Sequence, residues 1–391
     1  MKRLLIAAAA VVLAACATDQ PKKASVTSTA PPADGETSPV GVIPTALLHD
    51  AQRNKDVDIS IEYPTKGGPS PIIIFSPGYG GSNSGYEPWV SYWTTHGYVV
   101  IRPSPADAGA LRALMRDSIT DRRPEQRQSR RARNNDKKTD QPPQPPPFRP
   151  NPAETIWEKE REPQWRDRVR DVTLIIDSLN DLETRFPELK GKMDHAKIGV
   201  GGHSYGAFAA MLAGGARTFG TPPLQLADPR VTAILAMSPQ GVAANRGLTA
   251  ESWRDVKIPA MFMTGTRDFG AAETETPEWR KTAYENSPAG DKYFILIDGA
   301  RHMTFAGLTT PFAAEQDMAI YEPRVDPVTG QQAVTRVPRN NASTFINERG
   351  VFDRIRSISL TYWNAYLKND AKAKEKLSAG QFGGNVTAEK K

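Results

Sequence analysis

Six short apolar runs recur along the chain, each followed closely by a loop containing glycine or proline: Ile72–Phe75, Tyr98–Ile101, Ile198–Val200, Val231–Met237, Ile258–Thr264 and Tyr293–Ile297. None of them alternates apolar with polar residues, so each predicts a strand buried on both faces, as in a parallel sheet covered by helices. Segments of helical spacing lie between them. Trp89, Val90 and Trp93 share one stripe of Tyr86–His96, and Val169, Val172, Ile175, Ile176 and Leu179 share one of Trp165–Phe186, which Pro187 stops. Val351–Leu367 reads as a closing helix, and Val57–Tyr63 as an alternating strand that ends at Pro64. Strands and helices in this rotation predict an α/β class fold with a doubly wound, mostly parallel sheet.

The remaining sequence is of a different kind. Hydrophobic residues make up only 39% of the 391 residues and prolines number 33, so a sizeable part of the chain is not core. Met1-Lys2-Arg3, followed by the apolar run Leu4–Ala15, is the pattern of an export signal, too short to span a bilayer comfortably. Cys16 is the single cysteine, which excludes an intramolecular disulfide and a cysteine-rich metal site. Residues 16–41 are rich in Thr, Ser, Pro, Lys and Ala and read as a flexible spacer. The folded domain is expected over 42–370, followed by a polar tail at 371–391. Within it, about 107–164 forms an insertion containing Arg122, Arg123, Arg127, Arg130, Arg131 and Arg133, then the proline-rich Gln141–Pro147. A solvated insertion is the plain reading of such a stretch. In an exported protein its available polyanions are phosphates of lipids, and nucleic acid is not expected as a partner. The net charge of +6 is modest for this length. Asp326-Pro327-Val328-Thr329-Gly330 suggests a hairpin in an otherwise unassigned stretch after His302.

The chemistry gathers at the carboxyl ends of the apolar runs, where open parallel sheets bind ligands. Ile198–Val200 leads into Gly202-His203-Ser204-Tyr205-Gly206 and then into the helix start Ala207–Leu212. This is G-x-S-x-G in its strand-turn-helix setting, which exposes a serine hydroxyl at the top of the sheet. A serine hydroxyl is a poor nucleophile at neutral pH. It needs a histidine to take its proton and a carboxylate to orient that histidine. Asp268 and His302 each follow a later strand, giving the order serine, acid, histidine. The other histidines are placed elsewhere: His49 before the sheet, His96 at a helix end, His195 at the amino end of the elbow strand, and His203 inside the motif itself. Asp298 rivals Asp268 but lies too close in sequence to His302, and is assigned to the turn around Gly299. Two backbone N–H groups are expected to hold an oxyanion: that of Tyr205, after the serine, and that of Tyr79 in the loop Ser76–Asn83. The same glycine-rich loop also reads as a cap on the next helix. No cofactor or metal is expected.

Phe75-Ser76-Pro77-Gly78-Tyr79-Gly80-Gly81, His96-Gly97-Tyr98-Val99-Val100 and Gly202–Gly206 together resemble the bacterial dienelactone-hydrolase-like group, which includes cutinase-like polyester hydrolases and relatives of platelet-activating factor acetylhydrolase. The resemblance covers about 57–105 and 165–305. It implies an α/β-hydrolase fold, cleavage of esters through an acyl-serine, and no cofactor. The acetylhydrolase branch places its acid one strand earlier, where this chain has Met237-Ser238-Pro239-Gln240. Asp268 therefore aligns better with the polyester-hydrolase and dienelactone layouts. The cysteine nucleophile of dienelactone hydrolases and the disulfide of many polyester hydrolases are absent. Leu13-Ala14-Ala15-Cys16 resembles the bacterial lipobox, which implies a signal peptide over 1–15 and lipid attachment at Cys16. Ordinary cleavage after Ala17 is the alternative and would release a secreted protein. The expectation is a monomeric, lipid-anchored protein of the cell envelope that cleaves a small-molecule or lipid-like ester. A serine peptidase, thioesterase or lactonase on the same triad, or a catalytically silent envelope lipoprotein, stays open.

Overall fold

The computed structural model describes residues 37–108, 161–219, 224–270, 275–307, 321–325, 332–336 and 343–391. The export signal, Cys16, most of the spacer and the basic insertion from 109 to 160 lie outside the described residues.

The strands are β1 (Val40–Asp50), β2 (Lys55–Pro64), β3 (Ser70–Ser76), β4 (Val99–Ser104), β5 (Met193–His203), β6 (Arg217–Thr218), β7 (Leu224–Gln225), β8 (Val231–Met237), β9 (Ala260–Arg267), β10 (Lys292–Arg301), β11 (Tyr321–Val325), β12 (Gln332–Arg336) and β13 (Val386–Lys390). The helices are α1 (Glu87–Thr95), α2 (Arg161–Asp177), α3 (Leu179–Arg185), α4 (Tyr205–Ala213), α5 (Pro277–Glu285), α6 (Ser343–Leu367) and α7 (Ala371–Ala379). Among the described residues, nine strands form one sheet in the order β1-β2-β4-β3-β5-β8-β9-β10-β13. From β4 to β10 every neighbouring pair is parallel. β2 runs antiparallel to both β1 and β4, and β13 antiparallel to β10.

The period of two along each strand divides the core between the two faces. Ile72, Ile74 and Val200 point to one side, against Val169, Val172 and Ile176 of α2 and the alanines of α4. Ile73, Phe75 and Val100 point to the other, against Trp89 and Trp93 of α1 and Ile355, Ile358 and Trp363 of α6. Burying both faces is what made these strands read as unbroken apolar runs.

Three features depart from expectation. A strand, β1, precedes the alternating one; its register shifts between Ile43 and Ala46, around Pro44, and Val42 and Leu47 on it are exposed. The region expected as one helix over Trp165–Phe186 is two, α2 and α3, broken at Ser178. Residues 371–391, expected as a polar tail, form α7 and the edge strand β13. Asp370 caps α7 by accepting from the N–H of Lys372 at 2.9 Å and of Ala373 at 3.1 Å, and only Ala373 and Leu377 of that helix are buried. Both elements lie on the surface, hence their polar composition. β11 and β12 pair antiparallel as a hairpin ladder, and the turn residues 326–330 between them lie outside the described residues.

Candidate active site

β5 delivers the serine. Ser204 stands between β5 and α4 with φ 53° and ψ −117°, a conformation that a residue bearing a side chain rarely adopts. Its N–H donates to the Met237 carbonyl at 2.9 Å, which ties the turn into the sheet. The two glycines of the motif are steric requirements. A Cβ on Gly202 would lie 2.2 Å from the Gly206 carbonyl oxygen, and one on Gly206 only 1.9 Å from that of Ser76. The turn is therefore pressed against the carboxyl end of β3.

β9 and β10 deliver the other two groups, and an irregularity between them sets their reach. From the pair Ile297–Gly265 to the pair Arg301–Arg267 the chain advances four residues on β10 but two on β9. Gly265 permits this, because a Cβ there would fall 2.1 Å from the Ala300 carbonyl oxygen. Asp298 sits in the bulge, exposed, accepting from Thr266 Oγ1 at 2.9 Å, while the Gly299 N–H donates to the same hydroxyl. His302 begins the short turn beyond.

The result is a chain of three groups. His302 Nε2 lies 3.0 Å from Ser204 Oγ, and His302 Nδ1 lies 2.9 Å from Asp268 Oδ1. Placing the imidazole hydrogen on Nδ1 lets it donate to the carboxylate and leaves Nε2 to accept from the serine. Asp268 is fully buried, and its other oxygen accepts from Ser238 Oγ at 2.5 Å and Thr264 Oγ1 at 2.8 Å. Burial pushes this carboxyl up, but the Arg280 guanidinium, His302 and the Ser238 hydroxyl together hold it well below the usual carboxylate range. Ser238 occupies the strand end where the acetylhydrolase branch carries its acid. Here it serves the acid of the next strand.

Arg280, on α5, was not legible as part of the site. It is 2% exposed, with Nε 3.1 Å from both the Asp268 carbonyl and Oδ1, and Nη1 donating to the carbonyls of Ser238 and Pro239. Its Nη2 is 3.3 Å from His302 Nδ1, a nitrogen whose hydrogen is turned to Asp268, so this contact is charge proximity. His203 packs beside His302 with ring centroids 4.7 Å apart, and burial, with His302 and Arg280 nearby, pushes it well below the ordinary histidine value. A neutral His203 adds no charge against a protonating His302.

The loop after β3 holds Tyr79 close to the elbow, with its ring 6.1 Å from that of Tyr205. On either side of Tyr79, Gly78 N–H donates to Tyr86 Oη at 2.7 Å and Gly80 N–H donates to Asp107 Oδ2 at 2.8 Å. Asp107, expected as the first residue of a solvated insertion, is instead buried and paired with Arg168 of α2. The other histidines lie apart from this chain of groups: His49 faces Asp56, His96 ends α1 and His195 is 3.6 Å from Glu183. Among the described residues no three His, Cys, Asp or Glu side chains are grouped to hold a metal ion.

The strand order, with β2 reversed and a strained serine between β5 and its helix, defines an α/β-hydrolase fold. Over residues 45–219 the chain matches the family model of platelet-activating factor acetylhydrolase, isoform II, a family of the α/β-hydrolase superfamily, and this similarity supports a hydrolase. The matched span contains the loop after β3 and Ser204, and ends before the strands that carry Asp268 and His302. No curated protein matches the chain.

Proposed function

We propose that the protein is a serine esterase that cleaves carboxylic esters through an acyl-enzyme on Ser204. The observation that carries this reading is the unbroken contact from Ser204 Oγ to His302 Nε2, 3.0 Å, and from His302 Nδ1 to buried Asp268, 2.9 Å. His302 takes the serine proton as Oγ attacks the ester carbonyl, and ionised Asp268 stabilises the resulting imidazolium. The carbonyl oxygen becomes an oxyanion held by the backbone N–H groups of Tyr205 and Tyr79. The loop that carries Tyr79 is tied down on both sides of it, at the Gly78 and Gly80 amides. Each such donor contributes about 3 kcal/mol to transition-state stabilisation. His302 returns its proton to the departing alcohol, then activates the water that frees Ser204. A chromogenic ester panel of graded acyl length tests the reaction: turnover by the purified protein that vanishes in Ser204→Ala supports it, and equal turnover in both rejects it.

We also propose that the protein works as a lipid-anchored monomer facing lipid-like esters at the cell envelope, tethered through Cys16. Metabolic labelling with a fatty-acid analogue that disappears in Cys16→Ser supports the tether; label retained in Cys16→Ser rules it out.

A further inference from the structure

The loop that carries Tyr79 is held by side chains from three other parts of the chain. Arg168 donates through Nη1 to the Pro77 carbonyl and, at 3.3 Å, to Ser76 Oγ, and through Nη2 to the Gly78 carbonyl at 3.1 Å. The same guanidinium meets Asp107 side-on, with Nε to Oδ1 at 3.0 Å and Nη2 to Oδ2 at 2.6 Å, and Asp107 Oδ2 accepts the Gly80 N–H. Arg168 and Asp107 are each 1% exposed, so this is a buried pair whose donors and acceptors are spent on one loop. The Arg168 Cζ also lies 4.6 Å from the centroid of the Tyr205 ring, next to the other oxyanion donor. From the opposite side, Tyr86 Oη accepts the Gly78 N–H and lies 2.9 Å from Nδ1 of His203, the residue before the nucleophile.

A buried ion pair is seldom a net gain in stability over apolar residues of the same shape, because both charges are desolvated. Its geometric effect here is specific. The planar guanidinium fixes two successive carbonyls, the carboxylate fixes an amide, and the peptide between them has little freedom left. We infer that Arg168, supported by Asp107, and Tyr86 are positioning residues of the oxyanion hole: they fix the loop from Pro77 to Gly80 beside the elbow. Preorganised donors act only if they are in place before charge develops. Asp107 and Arg168 flank the basic, proline-rich stretch in sequence.

The inference rests on the esterase reading, and the experiment separates the two. Wild type, Arg168→Lys and Tyr86→Phe are titrated to completion with a fluorophosphonate, and ester turnover is expressed per titrated site. Arg168→Lys keeps the charge and loses the fork. It is expected to lower kcat by about 100-fold, the effect of a misplacement on the order of 1 Å, with KM changed by less than about threefold. Tyr86→Phe keeps the buried ring and so the fold, and is expected to lower kcat by about tenfold, in line with the loss of a single anchoring hydrogen bond. Affinity for a trifluoromethyl ketone, whose adduct carries the oxyanion, falls in step with kcat/KM in both, which a purely structural role would not produce. Turnover per site within about threefold of wild type in Tyr86→Phe, or in a folded Arg168→Lys, overturns the inference. A wild type that takes no label overturns the esterase reading instead.

Discussion

Arg280 Nε lies 3.1 Å from Asp268 Oδ1, a cation and an anion both excluded from solvent behind His302. Ser238 and Thr264 share the second carboxylate oxygen and His302 the first, so all the groups facing Asp268 favour its ionised form against burial. A carboxyl whose pKa is lower folded than unfolded adds stability above its unfolded value, near 3.8, and loses it as pH falls through the folded value. In Arg280→Gln burial acts with less opposition, the folded pKa rises, and that contribution shrinks. Urea melts from pH 3 to 7 are expected to show a variant about 3 kcal/mol less stable at neutral pH, since one partner of a buried pair is left alone. The acid limb of its kcat/KM profile moves to higher pH. An unmoved acid limb contradicts the role given to Arg280.

Glu62 behaves in the opposite sense. Burial pushes it up to about 7, although Arg102 Nη2 is 2.6 Å away and Ser91 donates to it at 2.9 Å. Its folded pKa therefore exceeds its unfolded value of 4.5, so its contribution is fully present below pH 4.5 and is lost as pH rises through 7. Glu62→Gln is expected to flatten the fall in stability across that window by roughly 1–3 kcal/mol. Denaturant midpoints of wild type and variant at pH 4.5 and 7.5 measure it.

The elbow glycines give a steric prediction with an internal control. Gly206→Ala places a methyl 1.9 Å from the Ser76 carbonyl oxygen, where backbone faces backbone, and is expected to destabilise by more than about 4 kcal/mol. Gly191→Ala meets nothing within 4 Å and is strained only by its φ of 70°, so about 1 kcal/mol is expected. Thermal melts of the two should differ by about 5 °C or more, on the order expected for such a gap.

β13 closes one edge of the sheet by pairing with Tyr293–Ile297, and Lys281 reaches its Glu389 at 2.6 Å. The ladder ends at Ile297 and Val386, and Asn385 then reaches the bulge, its carbonyl accepting the Asp298 N–H at 2.9 Å. Deleting residues 387–391, which leaves Asn385 in place, is expected to lower the melting temperature by several degrees and promote association through the bared edge of β10. Turnover per titrated site stays within about twofold of wild type. Light scattering and active-site titration check the two halves of this statement.

What was readable in the sequence follows from what each residue is buried against. Strands such as Ile72–Phe75 and Val231–Met237 are apolar on both faces and showed themselves directly. Ser204, Asp268 and His302 stood out because each ends such a strand, and the structure brings all three within hydrogen-bonding distance. Arg168 and Arg280 did not, because a charged residue on a helix reads as solvent-facing unless its buried partner is known, and Asp107 lies 61 residues before Arg168. β1, α7 and β13 were missed for the converse reason: each keeps one side in water, so its composition is that of a loop or tail. Ser238 gave no sign of its contact with Asp268, which depends on β9 running on past Met263, the partner of Met237, before Asp268 meets the end of β8.

The most direct test of the central claim is intact-protein mass spectrometry after reaction with a fluorophosphonate, followed by peptide mapping. One adduct per chain on Ser204 is expected at neutral pH, with none in Ser204→Ala and a rate lower by about 10³-fold or more in His302→Ala. A folded wild-type protein that takes no adduct, or takes it equally in Ser204→Ala, would contradict the account.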